Sequence, residues 1–186
     1  MKIGIISGSI RQGRNSAHVT RWVQQHAASL ASEDVEFEVV PLADYALPLF
    51  DGPVLPAMLN REYSDPAVAA WSRKIDEFDG YVFVTPEYNH SVPGALKNAV
   101  DSLGPEWQNK TVAFVSYGAD GGVRATEHWR QILANFNMID IRATVALALF
   151  QEFGAEGFAP LERRAAEIEK VLGDLVDTTR RWNAGA

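Results

Sequence analysis

The sequence predicts an α/β fold, a five-stranded parallel sheet with helices on both faces. Its 186 residues suit one domain, and 47% hydrophobic with 22% charged residues is the balance of a chain that packs a core. Short apolar runs rich in β-branched residues alternate with segments of helical periodicity. That alternation is typical of parallel strands joined by right-handed helical crossovers. We therefore expect residues 1–186 to form a single domain.

The predicted strands are short apolar runs that end at turn-forming residues. The first, KIGIIS, stops before Gly8, and the second stops before Pro41. Such continuous apolar runs indicate strands that are covered on both faces. The five predicted strands cover residues 2–7, 35–40, 81–84, 111–115 and 141–149.

The predicted helices show apolar residues at helical spacing. In the first of them, Val19, Val23 and Ala27 share one face. Another begins at Asp65-Pro66, which supplies an N-cap acid and a proline for the first helical position. The predicted helices cover residues 16–31, 124–136 and 161–182, and two more begin at Pro66 and Pro93.

The segment 42–64 holds three prolines and is too long for an ordinary connection. Loops of this size are usually functional or form interfaces. Four of its residues are unusually apolar for a free loop. Either they reach a partner subunit and help wall its active site, or the segment folds back on its own core. The four residues are Tyr45, Pro48, Leu49 and Phe50.

The chain contains no cysteine. This excludes disulfides, thiolate nucleophiles, Fe–S clusters and cysteine zinc sites, so any redox chemistry must come from a bound cofactor. The histidines show no metal spacing, and we expect no metal site.

The net charge of −7 argues against nucleic-acid binding, which depends on a basic surface. No apolar run approaches the ~20 residues that cross a bilayer, and the N-terminus lacks the shape of a signal peptide, so we expect a cytoplasmic protein without membrane insertion.

The charge is unevenly distributed. The first 32 residues contain no Asp or Glu but carry Lys2, Arg11, Arg14 and Arg21. Arg21 suits a solvated helix face. Arg11 and Arg14 flank a glycine in a loop, where they are well placed to act as anion ligands.

The loop after the first strand, residues 7–16, leads into a helix N-terminus, where unpaired N–H groups and the helix dipole favour an anion. Its hydroxyls and arginine suit phosphate oxygens, and Gly8 and Gly13 let the backbone come close. It lacks both the GxGxxG fingerprint and the lysine of a P-loop, so a single terminal phosphate of a mononucleotide fits better. A glycine turn with a serine N-cap is the alternative.

Two further loops follow predicted strands. The loop at 85–94 holds two prolines, several amide or hydroxyl groups and Tyr88, which could flank a planar heterocycle. A proline-rich connector with Ser91 as a cap is the alternative there. The loop at 116–124 holds three glycines and an aromatic residue, which suits close backbone approach to a ligand. A turn that needs positive φ is the alternative.

All three loops lie at the carboxyl edge of the predicted sheet, where open parallel sheets bind their ligands. One suits an anion, one faces a ring, and one lets the backbone approach. This layout predicts a flavin mononucleotide (FMN) site in a flavodoxin-like three-layer sandwich with strand order 2-1-3-4-5.

Two motifs resemble those of the NADPH-dependent FMN reductase family, which includes chromate, quinone and azo reductases. They are GSIR at residues 8–11, with Asn15-Ser16 after it, and PEYNHSVPGALKNAVD at residues 86–101. The resemblance covers most of the chain. It implies a non-covalently bound FMN that is reduced by NADPH or NADH. It also implies small-molecule electron acceptors, namely quinones, metal oxyanions, azo compounds or free flavin, and assembly into a homodimer or homotetramer.

The resemblance also implies the site residues. The phosphate would be held by Ser9, Arg11, Asn15 and Ser16. The isoalloxazine ring would be lined by Pro86, Glu87, Tyr88 and Asn89 and supported on its other side by Ser116, Tyr117 and Gly118. Ser16 departs from the family pattern because it follows Arg11 by five residues instead of three. The flavin carries the chemistry, so we expect no catalytic side chain, and backbone N–H groups of residues 86–89 should face its reactive nitrogens.

Two other function classes stay open at this point. One is a flavodoxin-type electron carrier without NADPH activity of its own, although the chain lacks a TxTGxT-like phosphate loop and has a basic loop instead. The other is a flavin-free interaction protein that keeps only the fold. All three loops nevertheless retain groups that suit a ligand.

Overall fold

A computed structural model describes residues 1–155 and 157–185, and it confirms the predicted fold class. Five strands form one fully parallel sheet in the order β2-β1-β3-β4-β5. The order reverses between β1 and β3, which makes a switch point at that place in the sheet. The strands are β1 (Lys2–Ser7), β2 (Glu36–Pro41), β3 (Gly80–Pro86), β4 (Thr111–Gly118) and β5 (Ile139–Ala148).

Helices cover both faces of the sheet and complete the three-layer sandwich. The residues of α1 and α6 pack with one hydrophobic core, and those of α2, α3 and α4 pack with the other. No helix within residues 1–155 and 157–185 has the length and hydrophobicity to cross a bilayer. The helices are α1 (Ser16–Ala27), α2 (Pro66–Asp76), α3 (Gly94–Asp101), α4 (Val123–Ala134), α5 (Leu149–Glu152) and α6 (Arg164–Gly185).

Strand β3 shows how the sheet divides the two cores. Tyr81 and Phe83 face the core on the side of α2 to α4, while Val82 and Val84 face the core on the side of α1 and α6. All four side chains are buried, which explains why the strand is a continuous apolar run. Buried Trp129 of α4 donates its indole N–H to the hydroxyl of Thr85, 3.0 Å away, and so ties the helix to the carboxyl end of the same strand.

Several boundaries differ from the predicted ones. Helix α1 ends at Ala27, four residues before the predicted end. The chain turns there, and the Ser29 hydroxyl donates a hydrogen bond to the carbonyl of His26. Strand β4 continues through Ser116 to Gly118 because it pairs there with β3 and β5, so the third predicted loop is shorter than expected. Helix α6 begins at Arg164 rather than at residue 161.

Part of the segment 42–64 folds back on its own core, as one of the two alternatives predicted. Tyr45 folds onto its own core, edge to face with Trp71 at a ring separation of 4.9 Å. Asn98 of α3 then fixes the chain by donating to the carbonyl of Pro48 and accepting from the N–H of Phe50. Beyond that clamp the apolar side chains of Leu49 and Phe50 stay exposed, at 81% and 40%.

A short insert that the sequence patterns did not predict lies between β5 and α6. It consists of α5 and a two-stranded hairpin, β6 (Phe153–Gly154) and β7 (Gly157–Phe158). Buried Glu152 anchors it by accepting from Arg164 Nε at 2.8 Å and from the N–H groups of Ala148 and Leu161. Burial alone raises the pKa of Glu152, but these donors outweigh it and hold the pKa below the ordinary 4.5.

Replacing the carboxylate tests this anchor. Glu152→Ala is expected to lower the free energy of unfolding by about 3–5 kcal/mol, because buried Arg164 keeps only Glu167 as a partner and the N–H groups of Ala148 and Leu161 lose their acceptor. The difference from wild type should shrink as the pH falls below 4.5, since the depressed pKa stabilises the fold only while the carboxylate is ionised. Urea unfolding at neutral and at acidic pH measures both effects.

The matched control is Asp174→Ala, which breaks an exposed ion pair with Lys170 on α6 and should change stability by less than about 1 kcal/mol. Equal losses in the two variants would show that Glu152 is no more than a surface charge.

Candidate functional site

The three loops meet in one cleft at the carboxyl edge of the sheet, beside the switch point. The cleft has a volume of about 360 Å³, within the range of about 300–1,000 Å³ that is usual for small-molecule sites. It is lined from the first loop by Ser9, Arg11, Gly13, Arg14 and Asn15, and from the other elements by Pro86, Glu87, Tyr88, Tyr117, Gly118, Ala119 and Leu149.

The N-terminus of α1 lies at this cleft and has no side-chain cap. Asn15 already has helical backbone angles, and its side chain makes no capping hydrogen bond. Among the described residues, the backbone N–H groups of residues 12–16 have no hydrogen-bond partner. Since the helix dipole places partial positive charge at the same point, the local structure favours an anion.

The arginines add formal charge to this end of the cleft. Among residues 1–155 and 157–185, neither Arg11 nor Arg14 forms an ion pair with a carboxylate. The Nε atom of Arg14 is buried and has no hydrogen-bond partner. A buried guanidinium nitrogen without an acceptor is costly, so this group fits an anionic ligand such as the phosphate of FMN.

Tyr88 links the first loop to the second. Its hydroxyl lies 2.9 Å from the hydroxyl of Ser9, which is 2% exposed. The guanidinium of Arg11 lies over the Tyr88 ring, 5.8 Å from its centroid. The hydroxyl pair and the cation over the ring hold the two loops together at the phosphate end of the cleft.

The second loop contains a tight turn that uses up most of its backbone donors. Tyr88 and Ser91 exchange two hydrogen bonds of 3.0 Å, and between them Asn89 and His90 have φ of 50° and 64°. The N–H of Glu87 donates to the carbonyl of Tyr117. Pro86 has no N–H, so within residues 86–89 only Asn89 retains a free backbone donor. The sequence led us to expect several backbone N–H groups of this loop to face the flavin. The structure leaves at most one of them available to a ligand.

The carboxylate of Glu87 points to α4. It accepts from the backbone N–H of Arg124 at 3.0 Å and from the Arg124 guanidinium at 2.8 Å, with the N–H of Ala125 at 3.4 Å. The side chain is only 7% exposed. Glu87 therefore caps α4, and Arg124, which also pairs with Asp120, is held in this network.

The third loop brings its backbone to the cleft because two glycines leave room. A side chain at Gly118 would lie 3.1 Å from the Cβ of Glu87. At Gly122, with φ of 77°, it would lie 2.9 Å from both the Cβ of Ser116 and the backbone N of Tyr117. The ring of Tyr117 is buried beside the cleft, and burial raises the pKa of its phenol to about 12, so the hydroxyl keeps its proton at neutral pH.

The structure brings most of the predicted site residues to one cleft, but three do not line it. Ser16 is buried and its hydroxyl accepts from Ser7, while the Ser116 hydroxyl donates to the carbonyl of Gly121. Asn89 lies in the turn between Tyr88 and Ser91. The predicted residues that do line it are Ser9, Arg11, Asn15, Pro86, Glu87, Tyr88, Tyr117 and Gly118.

Four lining residues were not among the predicted site residues. Gly13 and Arg14 belong to the first loop, where the sequence had indicated a close backbone approach and an anion ligand, whereas Ala119 and Leu149 were not singled out. Ala119 lies within the third loop but has no chemical feature that singles it out. Leu149 follows β5, whose carboxyl end reaches the same sheet edge, and that position was the available signal.

Comparison with known proteins identifies the family of this chain. The family model of NADPH-dependent FMN reductases matches residues 1–152. An NAD(P)H-dependent FMN reductase of Nectria is 39% identical over 183 residues, covering 97% of this chain and 87% of that protein. A quinone reductase of Escherichia coli is 36% identical over 141 residues, covering 72% and 69%.

A solved structure supports the fold. The flavoenzyme NAD(P)H:(acceptor) oxidoreductase of Paracoccus denitrificans superposes with a TM-score of 0.74 over 97% of both chains, at 20% identity. The matched family is that of the NADPH-dependent FMN reductases, and the Nectria relative is an NAD(P)H-dependent FMN reductase. The chain belongs to the NADPH-dependent FMN reductase family, with FMN as its cofactor and NAD(P)H as its electron donor.

Proposed function

We propose that this protein passes electrons from NADPH, through a non-covalently bound FMN in the cleft, to quinones. Metal oxyanions such as chromate, azo compounds and free flavin are the other acceptors in the proposal. The observation that carries it is the cleft itself, which joins an uncapped helix N-terminus and unpaired arginines to a loop with the family motif. The quinone reductase among the relatives supports quinones as acceptors.

The phosphate end of the cofactor belongs at the start of α1. The free N–H groups of residues 12–16 can donate to phosphate oxygens, and Ser9 and Arg11 flank them. Arg14 occupies the place after Gly13 at which the family pattern has a serine, and it lines the cleft. We assign to Arg14 a phosphate contact beside those of Ser9 and Arg11. Ser16 supports the loop through Ser7.

The ring end belongs between the second and third loops. Pro86 and Tyr88 form one side, and Tyr117 and Gly118 form the other. Bound there, FMN supplies hydride acceptance from NAD(P)H and electron delivery to the acceptor. The chain contributes a rigid wall and the room left by its glycines.

We infer a ping-pong order, in which the oxidised nicotinamide leaves before the acceptor enters. One cleft with one nucleotide-binding loop supports a shared place for donor and acceptor. We also infer a single domain, since both cores lie on one sheet, and assembly into a homodimer or homotetramer. The exposed apolar side chains of Leu49 and Phe50 support that assembly, because an interface would bury them.

The first prediction from this proposal concerns the phosphate. Arg11→Ala is expected to weaken FMN binding by about 1.5–3 kcal/mol, roughly 10- to 150-fold, because it removes charge-assisted hydrogen bonds. Fluorescence titration of the apoprotein with FMN measures this. Arg73→Ala on α2 removes an exposed arginine far from the cleft and should leave the dissociation constant unchanged. An unchanged constant in Arg11→Ala would remove Arg11 from the site.

A second prediction separates positioning from contact at Glu87. Glu87→Ala is expected to lower the free energy of unfolding by about 1–2 kcal/mol, because α4 loses its cap. Its effect on FMN affinity should be smaller than that of Arg11→Ala, since the carboxylate is engaged with α4. Asp120→Ala, which removes only the exposed partner of Arg124, serves as the control and should be near neutral. A large loss of FMN affinity with unchanged stability would instead favour direct contact.

The third prediction tests the activity directly. Protein loaded with FMN and freed of excess flavin is expected to lose its visible flavin absorbance stoichiometrically when NADPH is added without oxygen. Subsequent addition of a quinone should restore the absorbance. If the flavin is retained but stays oxidised with both NADPH and NADH, the protein is a flavodoxin-type carrier. Intersecting initial-rate plots with a ternary complex would rule out the ping-pong order.

A further inference from the structure

A second cavity lies beside the cleft, on the other side of Arg14. This side pocket, of about 190 Å³, lies at the carboxyl end of β2, between that strand and the first half of α1. β2 contributes Val39 and Pro41 to its lining, and the hydroxyl of Ser7, at the end of β1, is already engaged with Ser16. The other polar lining residues are Arg14, Thr20, Arg21 and Gln24. Arg14 is the only lining residue that it shares with the cleft, among those the structure describes.

Two of the residues that line the side pocket each hold a buried polar atom with no hydrogen-bond partner among residues 1–155 and 157–185. Thr20 is 3% exposed, and its Oγ1 is buried without a hydrogen bond. A threonine inside a helix usually satisfies its hydroxyl on a carbonyl of the preceding turn, and Thr20 does not. The buried Nε of Arg14 is the other atom. Buried polar groups are normally satisfied, so two orphans beside one cavity indicate a ligand that accepts hydrogen bonds from both.

The charge of the side pocket specifies the kind of acceptor. It contains two guanidinium groups, those of Arg14 and Arg21, and the lining includes no carboxylate. Within residues 1–155 and 157–185, Arg21 also forms no ion pair. The pocket is far too small for a nucleotide, but it has room for one tetrahedral oxyanion. Arginine is well suited to bind phosphate oxygens in pairs.

We propose that the side pocket binds a phosphate group, either the 2′-phosphate that distinguishes NADPH from NADH or free orthophosphate. In the first case the inference rests on the proposed function, because it places the adenosine end of the electron donor beside α1. The position fits, since the pocket lies on the same sheet edge as the cleft, one strand away from β1. Arginine side chains beside an adenosine ribose are typical donors to this phosphate in α/β proteins.

The test uses the holoenzyme, so that FMN already fills the cleft. Calorimetric titrations with adenosine 2′-monophosphate, with adenosine and with orthophosphate are made on wild type, Arg21→Gln and Thr20→Val. Neither substitution touches a residue that lines the cleft. Thr20→Val removes a hydroxyl that has no partner, so its thermal stability should match or exceed that of wild type. Arg73→Gln is the matched control for loss of an unpaired arginine.

Wild type and Arg73→Gln are expected to bind a phosphate-bearing probe and not adenosine, and both side-pocket variants should bind it about tenfold more weakly or worse. If 2′-monophosphate is the preferred probe, the ratio of kcat/KM for NADPH to that for NADH should fall by the same factor. If orthophosphate binding is lost while that ratio stays constant, the pocket takes free phosphate.

Two results would overturn the proposal. One is a set of isotherms that do not differ between wild type and the side-pocket variants. The other is a loss of affinity for FMN but not for riboflavin in those variants, which would make the pocket part of the FMN phosphate site. Because the titrations need no turnover, a protein that fails to reduce its flavin can still pass or fail this test.

Discussion

The register between β1, β3 and β4 is the constraint on which the candidate site depends. Ser7 pairs with Val84, and Pro86 pairs with Tyr117, so the three strands end at nearly the same level and their loops emerge side by side. A slip of one residue would move every side chain to the opposite face. The two buried cores forbid that slip, because β3 alternates large aromatic and β-branched side chains between them. Packing far from the cleft therefore fixes the geometry of the cleft.

Three helix N-termini show how the chain distributes its own anions. Asp65 caps α2 by accepting from two backbone N–H groups, and Glu87 reaches across from β3 to cap α4. Within the part of the chain that the structure describes, the N-terminus of α1 receives no carboxylate, and the first 32 residues contain none. The protein's own carboxylates thus neutralise the positive N-terminal ends of α2 and α4, whereas the N-terminal end of α1 is left for a ligand.

Much of this arrangement could be predicted from the sequence because it depends on local patterns. Apolar runs predicted the strands, and the pair Asp65-Pro66 predicted the start of α2, where the structure shows the expected cap. The strand order followed from the loops, since an anion loop and a ring loop must meet at a switch point. The insert at α5 escaped prediction because a helix of four residues carries no periodicity.

The direction of individual side chains was beyond the sequence. The motif around Glu87 indicated a place in the site, but only the tertiary structure shows that its carboxylate turns to α4. The Ser16 hydroxyl is engaged by Ser7, a contact across nine residues that no spacing rule supplies. The sequence also could not predict that the Thr20 hydroxyl lacks a hydrogen-bond partner, because a threonine in an amphipathic helix usually finds an acceptor in its own helix.

The unsatisfied groups around Arg14 make the first half of α1 dependent on its ligands. Each buried polar atom without a partner costs about 1–3 kcal/mol, and free N–H groups at an uncapped helix end add fraying. A ligand that binds only the folded state offsets this cost, and its stabilising effect rises with its concentration.

Arg14 lies between the cleft and the side pocket, so anions in the two sites would share one guanidinium. Filling one site fixes that side chain and alters the field at the other, which couples the two sites energetically. The cofactor and the second anion are therefore linked through a single residue of the first loop.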